Sequence, residues 1–282
     1  DRNIAVTSVP LDLAPILRED LFRRVDTAIV TSATLTADRR FAFLASRLGL
    51  TEADVEPEVG IFPSPFRYYE QALLAIPTDG PAPNVDPLGH FELVVRCAAD
   101  VAAAADGGMF VLFTSRRDVR AAADAMRALG VSSRWPLLVH GEDQRDALLR
   151  RFRGDGRAVL LGTSSFWEGV DVPGDALRAL VLARLPFRVP TEPLVAAQSE
   201  AIEARGGDAF RDYMLPHAAL RLKQGFGRLI RSHADRGVVI LCDPRAVSKS
   251  YGEELLDALP PARRVVGRWD EIRRDVAAMF TH

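Results

Sequence analysis

Seven short apolar runs are separated by turn residues or helical patterns, and this alternation constrains the fold more than any other feature. The runs are Ala28–Thr31, Ala72–Ile76, Met109–Phe113, Leu137–Val139, Ala158–Leu161, Ala179–Ala183 and Val238–Leu241. Each is almost continuously apolar, the character of strands covered on both faces rather than one. Between them 91–105, 117–129 and 144–152, and after the last of them 246–259, carry helical patterning. Strands alternating with helical stretches predict an α/β fold built on a parallel sheet. The turn-rich stretch 77–87 leads into the helix near Phe91. A second break, Pro63–Pro65, marks the domain boundary. Residues 1–64 then form a partial element of one lobe, and 65–282 a complete α/β domain.

Composition narrows the function. The chain is 282 residues long, 48 % apolar and 26 % charged, enough to bury a sizeable core and unlike a disordered chain. No run reaches the ~18 apolar residues of a membrane helix, and a cytoplasmic setting without membrane contact is expected. Residue 1 is an aspartate entering mid-pattern, so a fragment of a longer polypeptide is expected. The net charge of −2 supplies no global positive field, so any nucleic-acid site must be a local patch. The two cysteines, Cys97 and Cys242, have apolar neighbours and read as buried core residues rather than a disulfide or metal ligands. The histidines at 90, 140, 217, 233 and 282 have no metal-ligand spacing and read as structural or exposed.

Lysine usage gives a firm negative. Lys223 and Lys249 are the only two, and neither follows a glycine loop. A phosphate-binding loop needs its lysine to reach the β- and γ-phosphates while backbone N–H groups cradle them. This sequence alone therefore does not encode a complete ATPase of that class.

Four stretches could carry chemistry. In Gln224-Gly225-Phe226-Gly227-Arg228-Leu229-Ile230-Arg231, helical spacing gathers Gln224, Arg228 and Arg231 on one face, opposite Leu222, Phe226, Leu229 and Ile230. Two glycines inside such a helix cost about 1 kcal/mol each relative to alanine, which close approach of another surface would offset. Rigid guanidiniums suit phosphate, because their planar fork grips two oxygens at once. A solvated face paired with Asp208, Asp212 or Asp235 fits the same spacing. In Gly162–Gly174 a buried strand runs into Thr163, Ser164 and Ser165, then Phe166 and Trp167, then Glu168 and Asp171 around Gly169. Loops beyond the carboxyl ends of parallel strands are where ligands collect, although hydroxyl caps and a core tryptophan would look alike. Thr114, Ser115 and Arg116 follow another strand, where Ser115 could equally cap the next helix. Ser32, Ala33 and Thr34 follow the run at 28–31, and a plain strand terminus would read the same way.

In this order the four stretches resemble the C-terminal motor lobe of superfamily 2 DNA helicases of the DinG/XPD type. TSATL (31–35) is similar to motif III, FTSRRDVR (113–120) to motif IV, GTSSFWEGVDVPG (162–174) to motif V and QGFGRLIRS (224–232) to motif VI. SPF (64–66), ARLPF (183–187), FRDYMLPHAALRLKQ (210–224) and ILCDPR (240–245) extend the likeness over essentially the whole chain.

The resemblance implies a RecA-like sheet flanked by helices, preceded by a partial segment of the other lobe. It implies that Arg228 and Arg231 are arginine fingers for ATP and Mg²⁺ held mainly by the chain's own N-terminal lobe. Gln224 would order the fingers or touch phosphate, and Glu168, Gly169, Asp171 and Gly227 would line the nucleotide cleft. Thr114, Ser115, Arg116, Gly162, Thr163, Ser164 and Trp167 would meet single-stranded DNA, and Ser32, Ala33 and Thr34 would couple hydrolysis to movement. It further implies a monomeric 5′→3′ DNA helicase acting in DNA repair or at replication conflicts, with this piece alone ATPase-inactive. It leaves open an iron–sulfur cluster in the preceding part, since the four cysteines of many relatives are not in this chain. A non-catalytic nucleic-acid-binding or protein-docking module with the same fold remains the alternative at this point.

Overall fold

The computed structural model describes residues 8–32, 34–36, 41–51, 57–163, 166 and 176–281. In chain order its elements are α1 (Ala14–Asp20), α2 (Ala42–Leu48), α3 (Tyr68–Gln71), β1 (Ala72–Pro77), α4 (Pro87–Ala104), β2 (Met109–Phe113), α5 (Arg116–Ala128), β3 (Leu137–Val139), α6 (Arg145–Asp155), β4 (Val159–Thr163), β5 (Ala179–Leu182), α7 (Pro193–Glu203), α8 (Leu215–Phe226), β6 (Gly237–Leu241), α9 (Arg245–Ser248), α10 (Gly252–Asp257), β7 (Arg263–Gly267) and α11 (Trp269–Ala278). A π-helical turn, Phe210–Met214, leads into α8.

The chain divides into two compact units, 1–63 with 187–220 and 64–186 with 221–282. The expected boundary at 64/65 lies beside the first break. The stretch 187–220, read from sequence as part of the second lobe, packs with the N-terminal segment.

The smaller unit is held by a few aromatic and polar contacts. Tyr213 is buried with Val195 and Met214. Its hydroxyl accepts from Arg188 Nη1 at 2.8 Å, and Arg47 lies over its ring at 5.8 Å. Arg47 Nη1 also donates to Gln198 Oε1 at 3.1 Å, and Gln198 Nε2 donates to Leu11 O. Gly49, at φ 76°, closes α2 because an added Cβ would stand 2.4 Å from Ala14 O. The strand expected at 28–31 is not formed: those residues are irregular, and Ile29 is 84 % exposed. An apolar run becomes a strand only beside a partner edge, and the described part of this unit offers none.

The larger unit is a seven-stranded parallel sheet in the order β3-β4-β2-β5-β6-β1-β7, with helices on both faces. Alternate strand residues feed two cores, as the period of two requires. Met109 and Val111 of β2 join a cluster with Val94 and Val101 of α4, Val119 and Met126 of α5, and Trp269 and Val276 of α11. Phe110 faces the other way and stacks on Phe152 of α6, ring centroids 4.6 Å apart. Cys97 and Cys242 are both free and fully buried, and burial with the neighbouring Cys242 pushes the Cys97 thiol up.

Two local outcomes differ from expectation. The helix expected over 246–259 breaks into α9 and α10, because Lys249 is extended and Gly252 packs against α9; its Cβ would stand 2.2 Å from Ala246 O. The edge strand β7 was not expected, since its residues alternate between half-buried and exposed and two of them are arginines. Helix α4 begins at Pro87, earlier than expected, with the Asp86 carboxylate accepting from Leu88 N at 3.1 Å and Gly89 N at 3.0 Å.

Candidate nucleotide and nucleic-acid interface

The strand order reverses between β2 and β5. The chain leaves β2 through α5 toward β3 on one side and leaves β5 toward β6 on the other. At such a point the connections diverge and open a crevice beyond the carboxyl ends. Phe113 pairs with Thr163 and Leu112 with Leu182, so the carboxyl ends of β2, β4 and β5 stand side by side.

Thr114, Ser115 and Arg116 stand on that edge. Thr114 and Arg116 are exposed. Ser115 is the N-cap of α5, its Oγ accepting from Asp118 N at 3.0 Å. The next strand end presents Thr163, half-buried, with its hydroxyl 3.1 Å from His140 Nδ1. Gly162 is buried, and its role in the fold is packing: an added Cβ would lie 2.8 Å from Phe166 Cδ2. Phe166 is fully buried at this position, and its ring neither shifts nor shrinks cheaply. Gly162→Ala is therefore expected to cost about 1–3 kcal/mol by overpacking, read as a lowered denaturation midpoint at unchanged slope. Ser164, Trp167, Glu168, Gly169 and Asp171 lie outside the described residues.

The connection after β5 is fixed from beneath. His90 is buried, with Nδ1 3.1 Å from Pro81 O and Nε2 2.8 Å from Ala183 O, and burial lowers its basicity. Asp243, also buried, accepts from Leu185 N at 3.0 Å, Arg245 N at 3.1 Å, Arg245 Nε at 2.9 Å and Arg245 Nη2 at 2.7 Å. Burial alone would raise the Asp243 carboxyl, but these donors and the Arg245 charge hold it below the ordinary range.

The arginine-bearing stretch differs from expectation. Helix α8 ends at Phe226, and residues 227–229 continue as turns, with Arg228 N donating to Gly225 O at 3.3 Å and Leu229 N to Phe226 O at 3.2 Å. Gln224 is helical, whereas Arg228 and Arg231 lie beyond the helix, so the helical-face argument for these three side chains does not hold. What ends the helix is burial further on. Leu229 and Ile230 are buried, and Asp235 Oδ2 accepts from Arg231 N at 2.7 Å and Ser232 N at 2.8 Å. Gln71 Nε2 in turn donates to Ser232 O at 2.8 Å and Asp235 O at 2.9 Å. Arg228 and Arg231 are half-buried. Gly227 is exposed, and an added Cβ would meet Lys223 O at 3.4 Å, ordinary contact, so packing does not demand glycine there.

This stretch runs to the amino ends of β1 and β6, since Gln71 immediately precedes β1 and Gly237, which opens β6, lies against Leu229. Thr114, Ser115 and Thr163 stand at the opposite, carboxyl edge. In the smaller unit, Thr34 N donates to Ser32 Oγ at 3.1 Å in a tight hydroxyl turn, and Ala33 lies outside the described residues. Sequence reading missed His140 as a member of the carboxyl edge. Its place depends on β3 pairing with β4, where Val139 faces Leu161.

No group of three or more His, Cys, Asp or Glu side chains among the described residues could hold a metal ion. Nor is any helix among them long and apolar enough to cross a membrane.

A parallel sheet in this order, with helices on both faces, defines a RecA-like fold. The same arrangement occurs in Xpd4 from S. tokodaii, which matches 89 % of this chain and 47 % of that one at 17 % identity and a TM-score of 0.57. Residues 98–262 match the helicase C-terminal domain family, and the chain belongs to it. It is 39 % identical over 263 residues to the ATP-dependent DNA helicase YoaA of Escherichia coli, covering 93 % of this chain and 40 % of that protein. It is 40 % identical over 253 residues to the ATP-dependent helicase DinG of Mycobacterium tuberculosis, covering 89 % of this chain and 37 % of that protein. The chain thus spans about two fifths of the length of these relatives.

Proposed function

We propose that this chain is the C-terminal motor half of an ATP-dependent DNA helicase, working with a lysine-bearing lobe that holds ATP and Mg²⁺. Arg228 and Arg231 reach the transferring phosphoryl as arginine fingers, and Gln224 orders them. Glu168, Gly169, Asp171 and Gly227 line the nucleotide cleft. Thr114, Arg116 and Thr163 meet the backbone of single-stranded DNA, with Ser115, Gly162, Ser164 and Trp167 shaping that surface. Ser32, Ala33 and Thr34 couple hydrolysis to movement. Closure on ATP and opening after hydrolysis then ratchet the strand 5′→3′.

The observation that carries this reading is the in-register pairing of β2 with β4. It sets two hydroxyl-bearing strand ends beside Arg116 at the sheet's carboxyl edge, in a chain of the helicase C-terminal domain family.

A labelled single-stranded oligonucleotide titrated with the chain tests the DNA half. Affinity should fall linearly in log–log form with salt, and Arg116→Ala should reduce the slope by about 1. Binding that ignores both salt and Arg116 would overturn the strand contact.

A further inference from the structure

His140 belongs to none of the four motifs, yet it stands where two of them meet. Its backbone N donates to Leu161 O at 2.9 Å, extending the β3–β4 pairing by one residue. That bond turns the imidazole toward the end of β4, where Nδ1 lies 3.1 Å from Thr163 Oγ1. The ring also packs edge-on against Phe166 at 4.9 Å. Arg145 covers the same phenyl ring at 5.7 Å, and Thr163 pairs with Phe113, three residues before Arg116. One imidazole, one hydroxyl and two guanidiniums therefore converge around the ends of β2, β3 and β4.

The charges around the ring have one dominant sign. From α5, Arg116 acts on it, and from α6, Arg145, which also pairs with Asp146 at 3.6 Å. On its own loop, Glu142 is engaged by Arg127 at 2.6 Å and Asp143 faces Arg151 at 3.9 Å. From β4 the contact is the neutral Thr163 hydroxyl. Burial first, then Arg116 and Arg145, hold His140 below the ordinary histidine range. Without an anion the ring is neutral near pH 7. An oxyanion placed among these groups reverses the balance and makes an imidazolium the better partner, since both ring nitrogens then donate.

We propose that His140 is a positioning residue for strand binding: it aligns the Thr163 hydroxyl in a seat walled by Arg116 and Arg145, and it takes up a proton from solvent when a backbone phosphate of single-stranded DNA enters. This rests on the reading of the carboxyl edge as the strand-binding surface. Its consequence is that the chain grips a strand more tightly as pH falls, because the complex binds one more proton than the free partners.

The test titrates a fluorescein-labelled single-stranded oligothymidylate against the 282-residue chain between pH 8 and pH 6, beside His140→Gln, Thr163→Ala and Arg116→Ala. Wild type is expected to gain about tenfold in affinity across that range, allowing for partial protonation at either end. His140→Gln, which can still bond Thr163, should lose most of the gain between pH 8 and pH 6. In NMR spectra of histidine-labelled chain, saturating oligonucleotide should move the His140 titration to higher pH. If His140→Gln keeps the full pH dependence, or the His140 titration stays put, the inference fails while the strand-binding reading stands. If oligonucleotide does not bind, or binds equally well to Arg116→Ala and Thr163→Ala, the reading fails and takes the inference with it.

Discussion

Arg228→Ala, made in a longer helicase that joins this chain to a lysine-bearing lobe, is expected to lower DNA-stimulated ATP turnover by about 10³–10⁵. ATP binding, followed with a fluorescent nucleotide, should hardly change, since a finger acts on charge that develops during phosphoryl transfer. Arg228→Lys should recover little, because an ammonium cannot span two phosphoryl oxygens. Unaltered turnover in Arg228→Ala would end the finger assignment. The stretch beyond α8 makes the proposal physically reasonable despite the lost helical face. Leu229 and Ile230 anchor it in the core, and Asp235 and Gln71 bind its backbone, so the arginines project from a fixed turn. Such fixation limits the entropy lost when a guanidinium closes on its target.

Asp243→Ala should be the most damaging single change to stability, costing about 3–5 kcal/mol. It removes a fully buried carboxylate that satisfies four donors, and it leaves Arg245 without its bidentate partner in a half-buried position. A drop in Tm on the order of 10 °C follows for a body of this size. Asp243→Asn, which keeps two acceptor lone pairs and the shape, should lose less. The pH dependence has a definite sign. The folded-state carboxyl lies below its ordinary value, so its contribution is complete above about pH 4 and fades as the solution is acidified through the folded-state value. Chemical denaturation of the wild type and Asp243→Ala chains at pH 7 and pH 3 checks this. The gap between them should narrow in acid, and a constant gap would contradict it.

Much of the sheet was legible because burial on both faces leaves a mark that needs no partner to read. Six of the seven apolar runs became strands, two with their bounds unchanged and four shifted by one or two residues at one end or both. The exceptions have physical reasons. The run at 28–31 is as apolar as the others, but strand formation requires a neighbouring edge, which lies outside the run's own sequence. Arg263–Gly267 pairs with β1 along one side only, so its alternating burial and its arginines hide it among loop segments. The helix carrying Gln224 was legible, but its end was not. Helical periodicity continues on paper through Ile230, while the bonds from Asp235 and Gln71 draw the backbone away after Phe226. For the site, the hydroxyl-bearing strand ends were read correctly as elements, and the pairing that sets them together was not available from spacing. His140 is the clearest case, for a single histidine after a three-residue strand says nothing until its neighbour is known.

Strand β1 is the first of the seven along the chain, yet it lies between β6 and β7, pairing Ala72 with Gly237 and Leu73 with Arg263. Its partners are thus the last two strands of the sheet in chain order. During translation an apolar six-residue strand must wait, with both edges bare, for nearly the whole of its body to emerge. Contacts so distant along the chain slow folding and prolong exposure of aggregation-prone edges. A fragment trimmed to the family-matched region 98–262 would meet the same difficulty permanently, since it would discard β1 and leave β6 an open edge.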